Sequence, residues 1–259
     1  RVSRGLGDVY KRQVSASAAQ QAWKAQAVAA HSYLEYHKQY GSSANALVYT
    51  PVDQIPSAAR EAIRKAVEPV KDEILTYNGS VCDAVWSASA GYNTQTGVYG
   101  TCSGLDAWGT DVPYLQSVES PEGDEVPNYY SVVTVPSTEF VEKLTAAAPG
   151  CDFSGDSSGW IGPTVYDAAG LSTAVQIGGQ EVPTRTLRTL FSLRSSSLSV
   201  EMRDGNAVFY VTGYGHGVGM SQYGANALAK QGKSWQEILT WYYSGTDVEN
   251  LADKNLDLG

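Results

Sequence analysis

From Ser17 to Tyr40 apolar residues recur at helical spacing, with Trp23, Ala27, Ala30, Tyr33 and Leu34 on one 3.6-residue face and Gly41 following as a stop signal. This pattern predicts a long helix. A second helix is predicted over Ser57–Val67, capped by Ser57 and ended by Pro69, after a connecting loop that holds Tyr49 and Asp53. Ile74–Tyr77 and Val81–Trp86 predict two strands joined through Asn78-Gly79, the residue pair that favours a type I′ turn. Residues 91–127 are rich in Gly, Ser, Asn, Asp and Pro and predict a long loop, a feature that in compact domains is usually functional or disordered. A strand over Ser131–Val135, a helix over Thr138–Ala147 and a loop over 155–162 follow. Strands at 164–177 and 197–202 flank a short arginine-bearing helix at Arg185–Leu190, and a turn at Asp204-Gly205 leads into a strand at Ala207–Thr212. Two helices close the chain, at Ser221–Gln231 and Ser234–Tyr243, the second with Trp235, Ile238, Leu239 and Tyr242 as its buried stripe. The fold class is α+β, a mixed sheet with flanking helices and no internal repeat. The length of 259 residues allows one large domain or two lobes around a cleft.

Charge narrows the partners. A net charge of -9 provides no positive field to hold nucleic acid or anionic lipid, so no nucleic acid is expected. Seventeen Tyr and six Trp against four Phe supply aromatic faces with polar handles, suited to sugar stacking and equally to ordinary half-buried positions. Cys82, Cys102 and Cys151 lack the short paired spacings of a zinc site, so a Cys82–Cys102 disulfide is expected ahead of metal. Zinc through Cys82, Cys102 and His216 is the weaker alternative, and no cofactor is expected. No apolar run approaches the roughly 20 residues of a membrane span, and no signal-peptide pattern is present. The chain begins at Arg1 without Met, and residues 1–13 carry four of the eighteen basic residues with no periodicity. That stretch resembles translated adapter sequence and is set apart from 14–259, whose own N-terminal segment is expected to be missing.

Three local anomalies could carry chemistry. In Gly213-Tyr-Gly-His-Gly-Val-Gly-Met-Ser-Gln-Tyr-Gly224, four alternating glycines surround His216 and forfeit side-chain packing, so the backbone there must be approached closely or adopt positive φ. A ligand is one cause of such an approach; a strand-to-helix corner packed on a neighbour is the other. His216, held between glycines, can exchange protons near neutral pH, whereas His31 and His37 lie on the first helix as surface or packing residues. Trp86-Ser-Ala-Ser-Ala-Gly-Tyr-Asn-Thr-Gln95 gathers small hydroxyl and amide groups of the kind that bind sugar hydroxyls, or simply form a polar loop. Lys24 and Gln26 on the first helix matter only if they face a cleft.

Together these segments resemble the stage II sporulation protein D and amidase enhancer family. Ala22-Trp-Lys-Ala-Gln-Ala-Val-Ala-Ala-His-Ser-Tyr33 is similar to its Lys-Ala-Gln helix, with Gln21 in place of Glu and His31 in place of Arg. Ser87-Ala-Ser-Ala-Gly91 is similar to its His-Ser-x-Ser-Gly-Gly loop, with Trp86 for His and Ala90 for the first Gly, and Thr94 and Gln95 matching its Thr-Glu after a one-residue insertion. Trp108-Gly109, Pro113-Tyr-Leu115, Gly215-His-Gly-Val-Gly-Met-Ser-Gln222 and Tyr242-Tyr243-x-Gly-Thr246 follow in the family's order.

The resemblance implies a glycan-binding cleft and one of two activities. One is a lytic transglycosylase that cleaves peptide-stripped peptidoglycan glycan strands and leaves 1,6-anhydro ends. The other is a noncatalytic helper that binds cell wall and stimulates a cell-wall amidase. It implies action outside the cytoplasm, in the wall or anchored through the missing N-terminal segment. The lytic step needs a carboxylic acid, which the family carries shortly before the Lys-Ala-Gln helix. Counting back from Gln21 puts that acid at Gln13, where an amide has no proton to give. Glu is therefore expected in place of Gln13. Tyr214, His216, Ser221, Gln222, Ser87, Ser89 and Thr94 are expected to bind or orient glycan, with Lys24 and Gln26 in support. A serine hydrolase using Ser87 or Ser89 with His216 is disfavoured, because Ser-Ala-Ser-Ala-Gly lacks the leading Gly of a nucleophile elbow.

Overall fold

An alanine-rich run without Gly or Pro pays little side-chain entropy on winding up, and Ala16–Gln39 is accordingly one helix of 24 residues. The structure, a computed structural model, describes residues 16–40, 54–93, 96–123 and 126–253. Its described residues form two units. The first takes the chain up to Trp86, the short excursion Pro113–Gln116, and the chain from Gly219 onward; the second takes Ser87–Val112 and Ser117–Val218.

In the first unit the long helix buries Ala22, Trp23, Ala25, Val28 and Ala29. The stripe is offset from the expected one: Ala27, Ala30 and Leu34 are only half-buried. Small side chains allow close approach on this face, and polar groups lie on it where they meet the neighbouring strand. Ser32 is fully buried, its hydroxyl donating to Val28 O at 2.7 Å and accepting from Leu75 N at 2.7 Å. His31 and His37 also hold the helix in place, through Nδ1 to Glu73 O at 3.0 Å and through Nε2 to Asp83 at 3.2 Å. The strand they meet, Glu73–Tyr77, lies between Ser80–Val81 and Asp247–Asn250, antiparallel to both. Asn78 and Gly79 turn the hairpin with φ of 49° and 80°, as a type I′ turn requires. Its second strand is shorter than predicted, because beyond Val81 the backbone bonds to itself, Ala84 N to Cys82 O and Val85 N to Asp83 O, both at 2.9 Å. Helix Ser57–Val67 has the expected bounds, but Pro56 is its N-cap and Ser57 makes no cap bond. Helices Gln222–Lys230 and Trp235–Tyr242 complete this unit.

The second unit holds two three-stranded antiparallel sheets. In one, Asn206–Thr212 is central between Leu198–Arg203 and Tyr130–Pro136; in the other, Ser172–Ile177 is central between Ile161–Tyr166 and Gln180–Pro183. The predicted strand at 164–177 is thus two strands, separated by a turn in which Gly170 takes φ of 82°. Helices Ser137–Ala147 and Thr184–Leu190 bring Phe140 and Leu187 into the core with Phe191, Phe209, Val175 and Ile177. The Phe140 and Phe191 rings stack at 5.6 Å between centroids. Each such fully buried side chain contributes about 1.5–3 kcal/mol through apolar burial. The long polar stretch after Gly91 contains a two-strand ladder, Gly91–Tyr92 with Tyr99–Gly100, and a short helix, Gly104–Trp108.

Candidate functional site

All four glycines of the histidine loop take positive φ: 78° at Gly213, 118° at Gly215, 78° at Gly217 and 68° at Gly219. Three of them are required by close approach of the protein's own chain rather than by space left for a ligand. A Cβ on Gly213 would lie 2.3 Å from Ala90 O, one on Gly215 would lie 2.9 Å from Ser87 Cβ, and one on Gly219 would lie 2.2 Å from Val85 O. Only Gly217 has open space beside it. The packed-corner alternative therefore accounts for most of this motif.

The loop pressed against these glycines in the second unit is Ser87–Gly91, and two residues that sequence reasoning missed lock it. Glu122, 3% exposed, accepts from Ala90 N at 2.6 Å and from Ser120 Oγ at 2.9 Å; Tyr129 Oη donates to Ala90 O at 3.1 Å. Burial, with the Glu122 charge second, pushes the Tyr129 hydroxyl far above its ordinary range, so it stays a donor. Nothing in the polar run Glu119-Ser-Pro-Glu122 marked one acid as buried. Ser89 exchanges backbone bonds with Tyr214, at 3.1 and 3.4 Å. Its hydroxyl is buried with no hydrogen-bond partner among the described residues.

Ser87 and His216 do come together. Gly217 N donates to Ser87 Oγ at 2.8 Å, Val218 N donates to His216 Nδ1 at 3.2 Å, and Ser87 Oγ lies 3.5 Å from that same Nδ1. Nδ1 already accepts a backbone proton and the serine contact is long, so the pair is set for shape rather than for nucleophilic attack. The Trp108 ring packs 5.4 Å from the imidazole. Tyr214 is 49% exposed, with the Arg194 guanidinium 4.4 Å over its ring.

His216, Gly217 and Trp108 edge a cavity of about 390 Å³ within the second unit, whose wall also includes Arg185, Arg188 and Ser196. Cys102 lies in that wall, its Sγ donating to Asp167 Oδ2 at 3.5 Å. Burial, reinforced by the Asp167 charge, pushes this thiol far above its ordinary range. The expected Cys82–Cys102 disulfide is not formed, and Cys151 joins none either. Cys82 is in the first unit, whereas Cys102 and His216 are in the second, where the acids nearest the thiol are Asp106 and Asp167.

In the first unit the amide of Gln222 donates to Gln26 Oε1 at 2.9 Å, and both residues are buried. Gln26 Nε2 has no hydrogen-bond partner among the described residues. Lys24, two residues before Gln26 on the same helix, is half-buried. Ser221 is fully buried as the N-cap of the helix it precedes, accepting from Gly224 N at 3.1 Å. Gln13 and Thr94 lie outside the described residues, as does segment 1–13.

Around the cavity of the second unit, hydroxyls, an imidazole, a tryptophan and guanidiniums offer groups able to hydrogen-bond a polar ligand. Comparison with known proteins gives the kinship. Residues 6–77, which take in Gln13, Lys24 and Gln26, match the family described as Stage II sporulation protein. Stage II sporulation protein D of Bacillus subtilis strain 168 is 36% identical over 190 residues, covering 72% of this chain and 50% of that protein. Its counterpart in Bacillus amyloliquefaciens is 35% identical over 189 residues, with the same two shares. The amidase enhancer of Bacillus subtilis strain 168 is 29% identical over 241 residues, covering 71% of this chain and 32% of that protein. The chain belongs to the stage II sporulation protein D and amidase enhancer family. It spans half the length of the sporulation relatives it matches.

Proposed function

We propose that this chain represents a lytic transglycosylase of peptide-stripped peptidoglycan strands, working outside the cytoplasm, in which Glu belongs in place of Gln13. The observation that carries this reading is the buried Gln26–Gln222 hydrogen bond of 2.9 Å. It joins the Lys-Ala-Gln helix to the Met-Ser-Gln segment, the two motifs most characteristic of the resemblance, although 196 residues separate them. The spare Nε2–H pair of Gln26 and the ammonium of Lys24 are on the same helix, downstream of position 13. In the reaction the carboxylic acid protonates the glycosidic oxygen, the C1–O bond breaks, and the sugar's own 6-hydroxyl closes on C1 to give the anhydro ring, returning its proton to the carboxylate. Ser87, Ser89, Thr94, Tyr214, His216, Ser221 and Gln222 hold or orient the strand, Ser221 by fixing its helix.

A second reading rests on Gln13 itself and on the amidase-enhancer relative: the chain binds cell wall and stimulates an amidase without chemistry of its own. The two separate by incubating the chain and its Gln13→Glu variant with peptide-free glycan strands and seeking 1,6-anhydro-muramyl ends by mass spectrometry. The first reading expects products from the variant, with the chain itself slower by at least about 100-fold, the usual worth of a general acid. Strand binding by both proteins with products from neither supports the second.

A further inference from the structure

Arg188 carries a charge that the second unit leaves unanswered. Its guanidinium makes no hydrogen bond or ion pair among the described residues, and its Nε is buried without a partner. Burial lowers its affinity for a proton, opposed only by Tyr214, yet an arginine side chain stays charged in proteins. A half-buried cation without an anion is costly, and the usual remedy is a carboxylate held by two parallel N–H···O bonds.

The side chain lies in the wall of the 390 Å³ cavity, a volume within the range of small-ligand sites. Two acids also line that cavity, but both have other partners: Asp106 accepts from Ser103 Oγ at the start of its helix, and Glu181 from Gln176 Nε2 at 3.4 Å. Arg185 stands beside Arg188 with Nη1 on Ala107 O at 3.2 Å, leaving other donors on its fork. The remaining wall sets aliphatic residues such as Leu105 and Leu171 beside hydroxyls such as Ser196 and the Trp108 ring, a mixture of apolar face and polar edge that suits a sugar ring. Two acids in the same wall disfavour a dianion such as phosphate and leave room for a single negative charge.

We propose that this cavity is a subsite for a carboxylate borne on a sugar, with Arg188 as its counter-ion and the lactyl carboxylate of muramic acid as the group it takes. The inference rests on the glycan-strand reading above. While the stem peptide is attached, that carboxyl is a neutral amide; removal of the peptide exposes the charge. Arg188 then makes the choice of stripped strands a matter of electrostatics.

The test measures binding of end-labelled peptide-free strands by fluorescence anisotropy, beside the same strands with lactyl carboxylates converted to methylamides. The unaltered chain is expected to bind the acid form about tenfold tighter, the smaller end of what a charge-assisted hydrogen bond is worth. Arg188→Gln should erase that preference without weakening the methylamide form, and Arg188→Lys should keep part of it. Equal binding of the two strands by the unaltered chain overturns the inference while leaving the glycan reading in place. A loss from Arg188→Gln that is equal for both strands also overturns it. Absence of binding to either strand overturns both readings. The acid-to-amide comparison needs only the unaltered chain, so it decides the matter even if Arg188→Gln does not fold.

Discussion

Gly219 and Gly217 share a sign of φ and differ in everything around them. At Gly219 a methyl group would be driven to 2.2 Å from Val85 O, whereas at Gly217 it would meet nothing within 4 Å. Gly219→Ala should therefore cost about 3 kcal/mol or more, strain and collision together, and Gly217→Ala only the strain, about 1 kcal/mol. Urea unfolding of both variants measures the difference. Asp167 sets a second test. Desolvation is the chief cause that raises its carboxyl above the ordinary 3.8, with the Leu171 N bond working against it. A folded state that binds the proton more tightly is fully stable below that ordinary value and loses stability as pH rises through the raised one. Asp167→Asn removes this loss, so its melting temperature should gain on the parent as pH climbs from about 4 toward 7, with little difference below. At this scale the sequence displayed the glycine run and His216 but not what presses on them, because Ala90, Glu122 and Tyr129 meet only through tertiary packing.

Among the elements, the closing helix Trp235–Tyr242 states its own start. Ser234 accepts from Glu237 N at 3.3 Å, and the Glu237 carboxylate takes Ser234 N at 2.8 Å. The Ser234 N–H bond first, then the Lys233 ammonium and the Ser234 hydroxyl, hold the carboxylate down at about 2, so this reciprocal cap persists across the neutral range and weakens only as pH falls through that value. Ser234→Ala should lower stability by about 1 kcal/mol, read by urea unfolding at pH 7. Phe140→Ala should cost about 3–5 kcal/mol by opening a void between the Phe191 and Phe209 rings. Helices this long and this well signalled were legible, as were the strands of the second unit that lie next to clear turns. The face of the long helix was not, since alanine rows look alike from every side and the choice fell to Ser32 and Glu35 joining the buried row. Two-residue strands have no period to detect, and Asp247–Asn250 has one apolar residue, Val248, among three polar ones, its place beside Glu73–Tyr77 being a long-range pairing.

For the molecule as a whole, length left one domain and two lobes open, and the chain resolves this by passing repeatedly between two units. The core from Val135 to Val211 belongs wholly to the second unit. A fragment of residues 87–218 should therefore keep slow amide exchange in Ser131–Val135 and Ala207–Val211, whereas a chain cut after Val218 should lose it in Glu73–Tyr77, having lost the partner strand. Hydrogen exchange by mass spectrometry reads both. One bond gives this route a further meaning: in the first unit Met220 N donates to Val85 O at 3.3 Å. The two points at which the first unit's main stretches break off, after Trp86 and before Gly219, thus lie one hydrogen bond apart, and Pro113–Gln116 belongs to that unit in between. A segment whose two ends already touch can be lengthened, trimmed or exchanged without stretching the frame that receives it. Insertions are therefore expected to be borne by 87–112 and 117–218, and not by Pro113–Gln116, whose Tyr114 the first unit uses to hold Asp83 N and Ser244 N.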